Sequence, residues 1–139
     1  MALPQKLLLE VVTPEGLLLR EEVDEVMAPG EEGYFGVRPG HTPFLATLGI
    51  GSIMYRKGEE KRYLTSFWGF CEVLPDRVNI LAEVGERAEG IDAERAEKAK
   101  ERAEQRLKTI RDEADYRLAQ AEYTKAVVRL GVARRQRDK

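Results

Sequence analysis

The chain has 139 residues, of which 42% are hydrophobic and 35% are charged, and its formal net charge is -2 at pH 7. One cysteine and one histidine exclude an internal disulfide and a cysteine-based zinc site, and they leave little for acid–base catalysis. No apolar run approaches the roughly 20 residues that span a bilayer, and no signal-like segment opens the chain. We therefore expect a soluble, cytoplasmic protein that at most docks onto something membrane-bound.

Composition changes sharply near position 90. All six prolines and eleven of the twelve glycines lie at or before Gly90. Residues 1–90 carry a charge balance of -6, whereas residues 91–139 carry +4. This break predicts an α+β protein with two domains, a turn-rich β module over residues 1–90 and a helical tail over residues 91–139.

The first module reads as short strands separated by turn signals. Strand candidates cover residues 6–12, 17–20, 23–28, 33–37, 44–48, 51–56, 61–67, 70–74 and 77–83. Turns at residues 57–60 and 75–76 join two predicted hairpins. Eight to ten short strands at this spacing predict a β sandwich or a flattened barrel.

A segment rich in glycine, proline and aromatic residues, residues 29–44, interrupts these strands. Segments of this kind often contact partners, which makes Glu31, Glu32, Tyr34 and His41 candidate contact residues. The alternative is a tight connection whose glycines only permit positive φ. For His41, a structural hydrogen bond is favoured over metal ligation or catalysis because the chain has no second histidine.

Helical spacing of alanine dominates the tail. Asp92 is a good N-cap, and the stripe that follows it consists of Ala96, Ala99, Ala103, Leu107 and Ile110. Cap residues at 112–115 precede a second stripe, which consists of Ala119, Tyr123, Ala126, Leu130 and Ala133. Two seams of equal length predict an antiparallel helical hairpin. Because alanine buries little area, we expect a marginal hairpin that can act as a conformational switch.

Four cations of the tail are spaced to share one groove. Arg95 and Arg102 lie seven residues apart, and Lys125 and Arg129 lie four apart on the second helix. With Asp92 beside them, these cations could hold a triphosphate while the carboxylate accepts from an adenine amino group or a ribose. The alternative is that glutamates of the first helix neutralise the cations; the candidates are Glu94, Glu97, Glu101 and Glu104.

Basic residues, among them Arg134 and Arg135, accumulate toward the end of the chain. They suit an acidic partner surface, a polyphosphate or nucleic acid. The alternative is a solvated helix end whose cations favour the C-terminal dipole.

The whole chain resembles the epsilon subunit of bacterial F-type ATP synthases. The matching motifs are Val-Val-Thr-Pro-Glu-Gly at residues 11–16, Gly-x-x-Pro-Gly-His at 36–41, Gly-Phe-Cys-Glu-Val at 69–73 and Ile-Leu-Ala-Glu at 80–83. Residues 91–96 match the Ile/Leu-Asp-x-x-Arg-Ala motif of relatives that bind ATP as a regulatory ligand.

The resemblance implies a ten-stranded β sandwich at the foot of a rotating central stalk, against the gamma subunit and the membrane ring of c subunits. It also implies a helical hairpin that either lies folded on the sandwich or extends toward the alpha and beta subunits and blocks ATP hydrolysis. Tyr34 stands where some relatives carry an acidic residue facing the c ring.

The resemblance further implies a regulatory ATP site. By position, the residues that match its lining are Glu86, Ile91, Asp92, Arg95, Ala96, Arg102 and Arg129, and Lys125 occupies a further lining position. Lys125 departs from the pattern, since such relatives have arginine there, so a bidentate contact with phosphate would become a point contact. Glu94 adds an acid near the motif.

We therefore expect a non-catalytic rotor subunit of a proton-translocating ATP synthase, with no catalytic or metal-binding residue and no required cofactor. ATP is its expected regulatory ligand, and the cytoplasmic face of the bacterial plasma membrane is its expected location. The alternative is a coiled-coil factor that binds nucleic acid or a polymerase, which the acidic β module opposes.

Overall fold

A computed structural model describes residues 3–137. Within these residues seven strands form one mixed sheet in the order β2-β1-β7-β6-β5-β3-β4. The strands are β1 (Leu7–Thr13), β2 (Gly16–Val23), β3 (Glu25–Gly30), β4 (Gly33–Val37), β5 (Phe44–Lys57), β6 (Glu60–Leu74) and β7 (Arg77–Arg87). Neighbouring strands pair antiparallel except β1 and β7, which are parallel.

The predicted class, a β domain followed by a helical hairpin, is confirmed, but the expected count of about ten strands is wrong. Candidates 44–48 and 51–56 form the single strand β5, and candidates 61–67 and 70–74 form the single strand β6. Glycines that read as breaks are bends inside these long strands. Trp68 has φ 57° and Gly69 has φ 122°, so the bend in β6 needs a left-handed backbone rather than a turn.

One apolar cluster lies inside the β domain. It contains residues from both edges of the sheet, such as Leu19 of β2 and Val37 of β4, together with Ile80 of the inner strand β7. Edge strands can share a core only if the sheet wraps around it, which is what the bends of β5 and β6 allow. Cys71 belongs to this cluster, and burial raises the pKa of its thiol to about 12.

The tail forms a short 3-10 turn (Ala88–Gly90) and two helices, α1 (Ala93–Thr109) and α2 (Glu113–Arg137). The predicted cap is confirmed, because the Asp92 carboxylate accepts from the backbone N–H of Arg95 at 3.0 Å. Asp112 caps α2 in the same way, accepting from the N–H groups of Ala114 at 2.8 Å and Asp115 at 3.1 Å.

The helices pair through the predicted alanines. The side chains of Ala96, Ala103, Ala119 and Ala126 are buried. Val132 is also fully buried, although it lies outside the predicted stripe. It is buried because α2 packs on β5 and β6 as well as on α1. The hairpin therefore lies folded against the β domain.

None of the helices in residues 3–137 combines the length and the apolar character needed to cross a membrane.

Candidate functional site

A cleft of about 350 Å³ opens where the end of β7, the start of α1 and one face of α2 meet. Its lining consists of Glu86, Gly90, Ile91, Asp92, Arg95, Ala96, Ala99, Arg102, Glu122 and Arg129. This volume is in the range of small-molecule sites. Because three separate elements supply the walls, the cleft exists only while the hairpin is folded on the β domain.

The cleft brings together seven of the eight residues predicted to line a nucleotide site. They are Glu86, Ile91, Asp92, Arg95, Ala96, Arg102 and Arg129. The predicted residues of α1 follow helical spacing after the Asp92 cap, so one face of the helix presents both arginines. Glu86 comes from β7 and Arg129 from α2, so tertiary packing alone places them here.

Lys125 is the exception. It does not line the cleft, and its Nζ lies 4.4 Å from the centroid of the Trp68 ring. A lysine above an indole face gains a cation–π interaction. In the folded hairpin Lys125 therefore holds α2 to β6 rather than facing the cleft.

Arg129 is oriented by groups of the β domain. Its Nε donates to Oε1 of Glu86 at 2.8 Å, and the same oxygen accepts from the Thr65 hydroxyl at 3.0 Å. The guanidinium carbon also lies 5.0 Å from the centroid of the Phe67 ring. Within residues 3–137 its two terminal nitrogens make no protein hydrogen bond, so they can donate to a ligand.

Arg95 and Arg102 have no carboxylate oxygen within 4.0 Å in the described part of the chain. The glutamates considered above do not neutralise them: Glu94 pairs with Lys98 at 3.5 Å, and Glu104 pairs with Lys100 at 4.0 Å. Two guanidinium groups on one helix face thus line the cleft without a partner anion. Guanidinium groups match phosphate oxygens in geometry and charge.

Three acidic residues line the cleft, the same number as its arginines. Glu86 is paired with Arg129, and Asp92 caps α1, while Glu122 makes neither kind of contact in residues 3–137. Sequence reasoning missed Glu122. The signal that could have found it is its position seven residues before Arg129, which places both side chains on one face of α2.

Three of the four predicted partner residues of the first module line a second cleft of about 400 Å³. Glu31, Glu32 and Tyr34 line it together with the exposed side chains of Phe44 and Leu45. The Tyr34 hydroxyl accepts from the Ser52 N–H at 3.0 Å, which fixes the ring. An acidic rim around apolar side chains is typical of a protein contact surface.

His41 does not line that cleft. Its Nδ1 lies 2.6 Å from the carbonyl oxygen of Thr42, the local hydrogen bond expected of a lone histidine. At the far end of α2, Arg134 is exposed, whereas the Arg135 guanidinium carbon lies 5.2 Å from the Tyr63 ring centroid. Arg135 therefore contacts β6. Across residues 3–137, no three His, Cys, Asp or Glu side chains converge as metal ligands.

Comparison with solved structures supports the fold. The chain superposes on part of a Euglena gracilis mitochondrial ATP synthase (OSCP, F1 and c-ring) with a TM-score of 0.80, 24% identity and coverage of 91% of this chain and 81% of that one. It also superposes on a central stalk and c-ring structure of Tetrahymena thermophila mitochondrial ATP synthase with a TM-score of 0.66, 15% identity and coverage of 95% and 99%.

Sequence comparisons define the family. The chain is 50% identical to the ATP synthase epsilon chain of Nitratidesulfovibrio vulgaris strain DP4 over 89% of its own length and 92% of the relative. It is also 50% identical to the epsilon chain of Syntrophobacter fumaroxidans over 93% and 96%. Family models match the beta-sandwich domain of the ATP synthase delta/epsilon chain at residues 6–88 and its long alpha-helix domain at residues 89–134. The chain belongs to the ATP synthase delta/epsilon chain family.

Proposed function

We propose that the chain is a non-catalytic rotor subunit in the central stalk of a proton-translocating F-type ATP synthase. In this role it couples rotation to ATP synthesis and inhibits ATP hydrolysis when its helices extend. Family membership supports the assignment of the chain to the ATP synthase complex. The cleft shared by the β domain and the hairpin supports regulation by ATP. That composite cleft is the observation that carries the proposal.

The contacts of the hairpin suit a reversible dock. α1 and α2 meet mainly through small alanines, and α2 contacts β6 through cations at the edge of the interface, Lys125, Arg129 and Arg135. Cation–aromatic contacts at partly exposed sites stabilise by only about 0.5–1 kcal/mol each. A modest change in partners can therefore shift the balance between the folded and the extended hairpin.

ATP is the ligand that the cleft chemistry favours. Arg95, Arg102 and the terminal nitrogens of Arg129 offer donors for phosphate oxygens, whereas the Asp92 and Glu86 carboxylates can accept from an adenine amino group or ribose hydroxyls. Since the cleft forms only in the folded state, bound ATP stabilises that state by mass action. High ATP would thus keep the hairpin folded and the inhibition relieved.

The second cleft and the end of α2 are the proposed partner surfaces. The acidic and apolar cleft with Glu31, Glu32 and Tyr34 would contact the c-subunit ring. His41, whose ring lies 6.4 Å from that of Phe44 in the cleft wall, would lie beside this contact, and other faces of the β domain would contact the gamma subunit. Arg134 and Arg135 would reach the alpha and beta subunits once the hairpin extends. The protein would then be peripheral, at the cytoplasmic face of the bacterial plasma membrane.

Deletion of residues 91–139 tests the inhibitory role. The truncated chain should still co-purify with gamma in the assembled complex, and the ATP hydrolysis rate of the complex should rise. Assembly with an unchanged hydrolysis rate would contradict inhibition by the hairpin.

Calorimetric titration of the full chain with ATP tests the ligand. We expect binding that weakens at least about tenfold in Arg102→Gln, because each charge-assisted contact contributes roughly 1.5–3 kcal/mol. Lys98→Gln removes an equal charge on α1 at a residue that does not line the cleft and pairs with Glu94, so it should change affinity much less. If wild type gives no heat with millimolar ATP, and neither ATP nor ADP alters Trp68 fluorescence, the nucleotide proposal is wrong.

A further inference from the structure

We propose that Glu122 is a specificity-determining residue of the nucleotide cleft, which weakens ATP binding by repelling its phosphates and so sets how much ATP is needed to hold the hairpin folded. The inference rests on the proposed function. Glu122 lines the cleft although the sequence did not predict it there. Unlike Glu86, which pairs with Arg129, and Asp92, which caps α1, it makes no such contact in residues 3–137.

The position of Glu122 along the hairpin puts it beside Arg102, one of the arginines proposed to bind phosphate. α1 and α2 are antiparallel and joined at residues 110–112. Counting outward from this connection, Glu122 comes level with the stretch from Ala99 to Arg102, whereas Arg129 comes level with the Asp92 cap. Glu122 and Arg102 therefore line the same end of the cleft from opposite helices.

The charge of Glu122 is not compensated locally. In residues 3–137 no Lys or Arg nitrogen lies within 4.0 Å of its carboxylate, and the residue is exposed. By contrast, Glu86 is neutralised by Arg129, and Asp92 faces the positive end of α1. Of the three acids, Glu122 thus presents an uncompensated negative charge to an incoming anion.

Coulomb repulsion predicts how much nucleotide affinity should rise when the charge of Glu122 is removed. Removing one charge several ångströms from a triphosphate, in a solvated cleft, should tighten binding about threefold to tenfold at low salt. The gain should fall from ATP to ADP to AMP, because it scales with phosphate charge. For adenosine, which carries no phosphate, the gain should vanish.

The test compares wild type with Glu122→Gln by titration with ATP, ADP, AMP and adenosine in chelator and low salt. Glu101→Gln is the matched control, since Glu101 is exposed at a similar level of the hairpin, changes net charge equally and does not line the cleft. We expect tighter ATP binding only in Glu122→Gln, graded with ligand charge and reduced to below about twofold at 1 M salt. Helix content by circular dichroism should be the same in all three proteins.

Three outcomes would overturn the inference. Glu122→Gln could match Glu101→Gln for ATP, or it could tighten adenosine as much as ATP, which would mean a change in packing. In a parallel titration with magnesium in place of the chelator, it could also bind ATP more weakly than wild type, which would make Glu122 a ligand of the metal instead. If neither wild type nor Glu122→Gln binds any of these nucleotides, the proposed nucleotide function itself is wrong. If Arg102→Gln binds ATP more weakly than wild type but Glu122→Gln binds it equally well, only the role of Glu122 is wrong.

Discussion

Nε of Arg129 on α2 donates to Oε1 of Glu86 on β7 at 2.8 Å, across 43 positions of sequence. Both side chains are 30% exposed, so water screens the pair only in part. This contact joins the hairpin to the β domain and at the same time orients an arginine of the cleft.

We predict that a double-mutant cycle on Glu86→Gln and Arg129→Gln gives a coupling free energy of about 1 kcal/mol for docking of the hairpin. The control pair is Arg117 and Glu113 of α2, which has the same 2.8 Å distance but is 76% and 81% exposed. Its coupling should be about 0.3–0.5 kcal/mol. Urea titration without nucleotide, monitored by Trp68 fluorescence, measures the coupling free energies of both pairs. Equal values would show that partial burial does not strengthen the pair between Glu86 and Arg129.

Trp68, the only tryptophan, lies under Lys125 and should report docking directly. We expect Lys125→Ala to change the Trp68 emission and to weaken docking by about 0.5–1 kcal/mol, since the cation–π contact is lost. Lys125→Arg should retain most of both. Lys98→Ala is the control, because within residues 3–137 the one ion pair of Lys98 is with Glu94 on α1, and it should leave the emission unchanged.

Gly69→Ala should destabilise the β domain by about 3 kcal/mol or more. Alanine rarely adopts the backbone conformation of Gly69, and its Cβ would collide with the neighbouring strand. Gly69 has φ 122°, and a Cβ there would lie 1.8 Å from the carbonyl oxygen of Leu81. Gly58 also has positive φ, 63°, but open space around the Cβ position. Gly58→Ala should therefore cost only about 1–2 kcal/mol in chemical denaturation. Similar losses at both sites would contradict the steric explanation.

The Asp24 carboxylate lies between β2 and β3 and accepts from the N–H of Gly58, in the turn between β5 and β6, at 2.6 Å. The N–H of Gly58 and the ammonium of Lys6 lower the pKa of Asp24 below its ordinary value of 3.8. A folded pKa below the unfolded value means that the contribution to stability is complete above about pH 4. It is lost as pH falls through the lowered pKa.

Asp24→Asn should therefore be less stable than wild type at pH 7. The difference in the free energy of unfolding should shrink as the pH falls below about 4, where the Asp24 carboxylate becomes protonated. Urea unfolding at pH 7, 5 and 3 measures it. Asp76→Asn, at an exposed site whose only ion-pair contact in residues 3–137 is the neighbouring Arg77, should cost little at any of these pH values. A difference between Asp24→Asn and wild type that does not vary with pH would rule out the carboxylate charge as its cause.

The strand boundaries show where sequence reasoning stops. Turns at 57–60 and 75–76 were predictable, because they depend on a few adjacent residues. The break expected between residues 67 and 70 was wrong, because Gly69 serves the close approach of Leu81 on the neighbouring strand rather than a turn. Phe70, next to it, is 55% exposed.

By itself the sequence determined the features that act over one or two helical turns. These include the Asp92 and Asp112 caps, which are contacts between residues two or three apart, and the helical spacing of the alanines. The change in composition at Gly90 likewise marked the boundary between the β domain and the helices. Only the tertiary structure decided that Glu86 meets Arg129, that Lys125 turns to Trp68 and that Glu122 enters the cleft. Those choices depend on how α2 lies across β6, and the many long-range contacts that hold the helix there leave no periodic signal in the sequence.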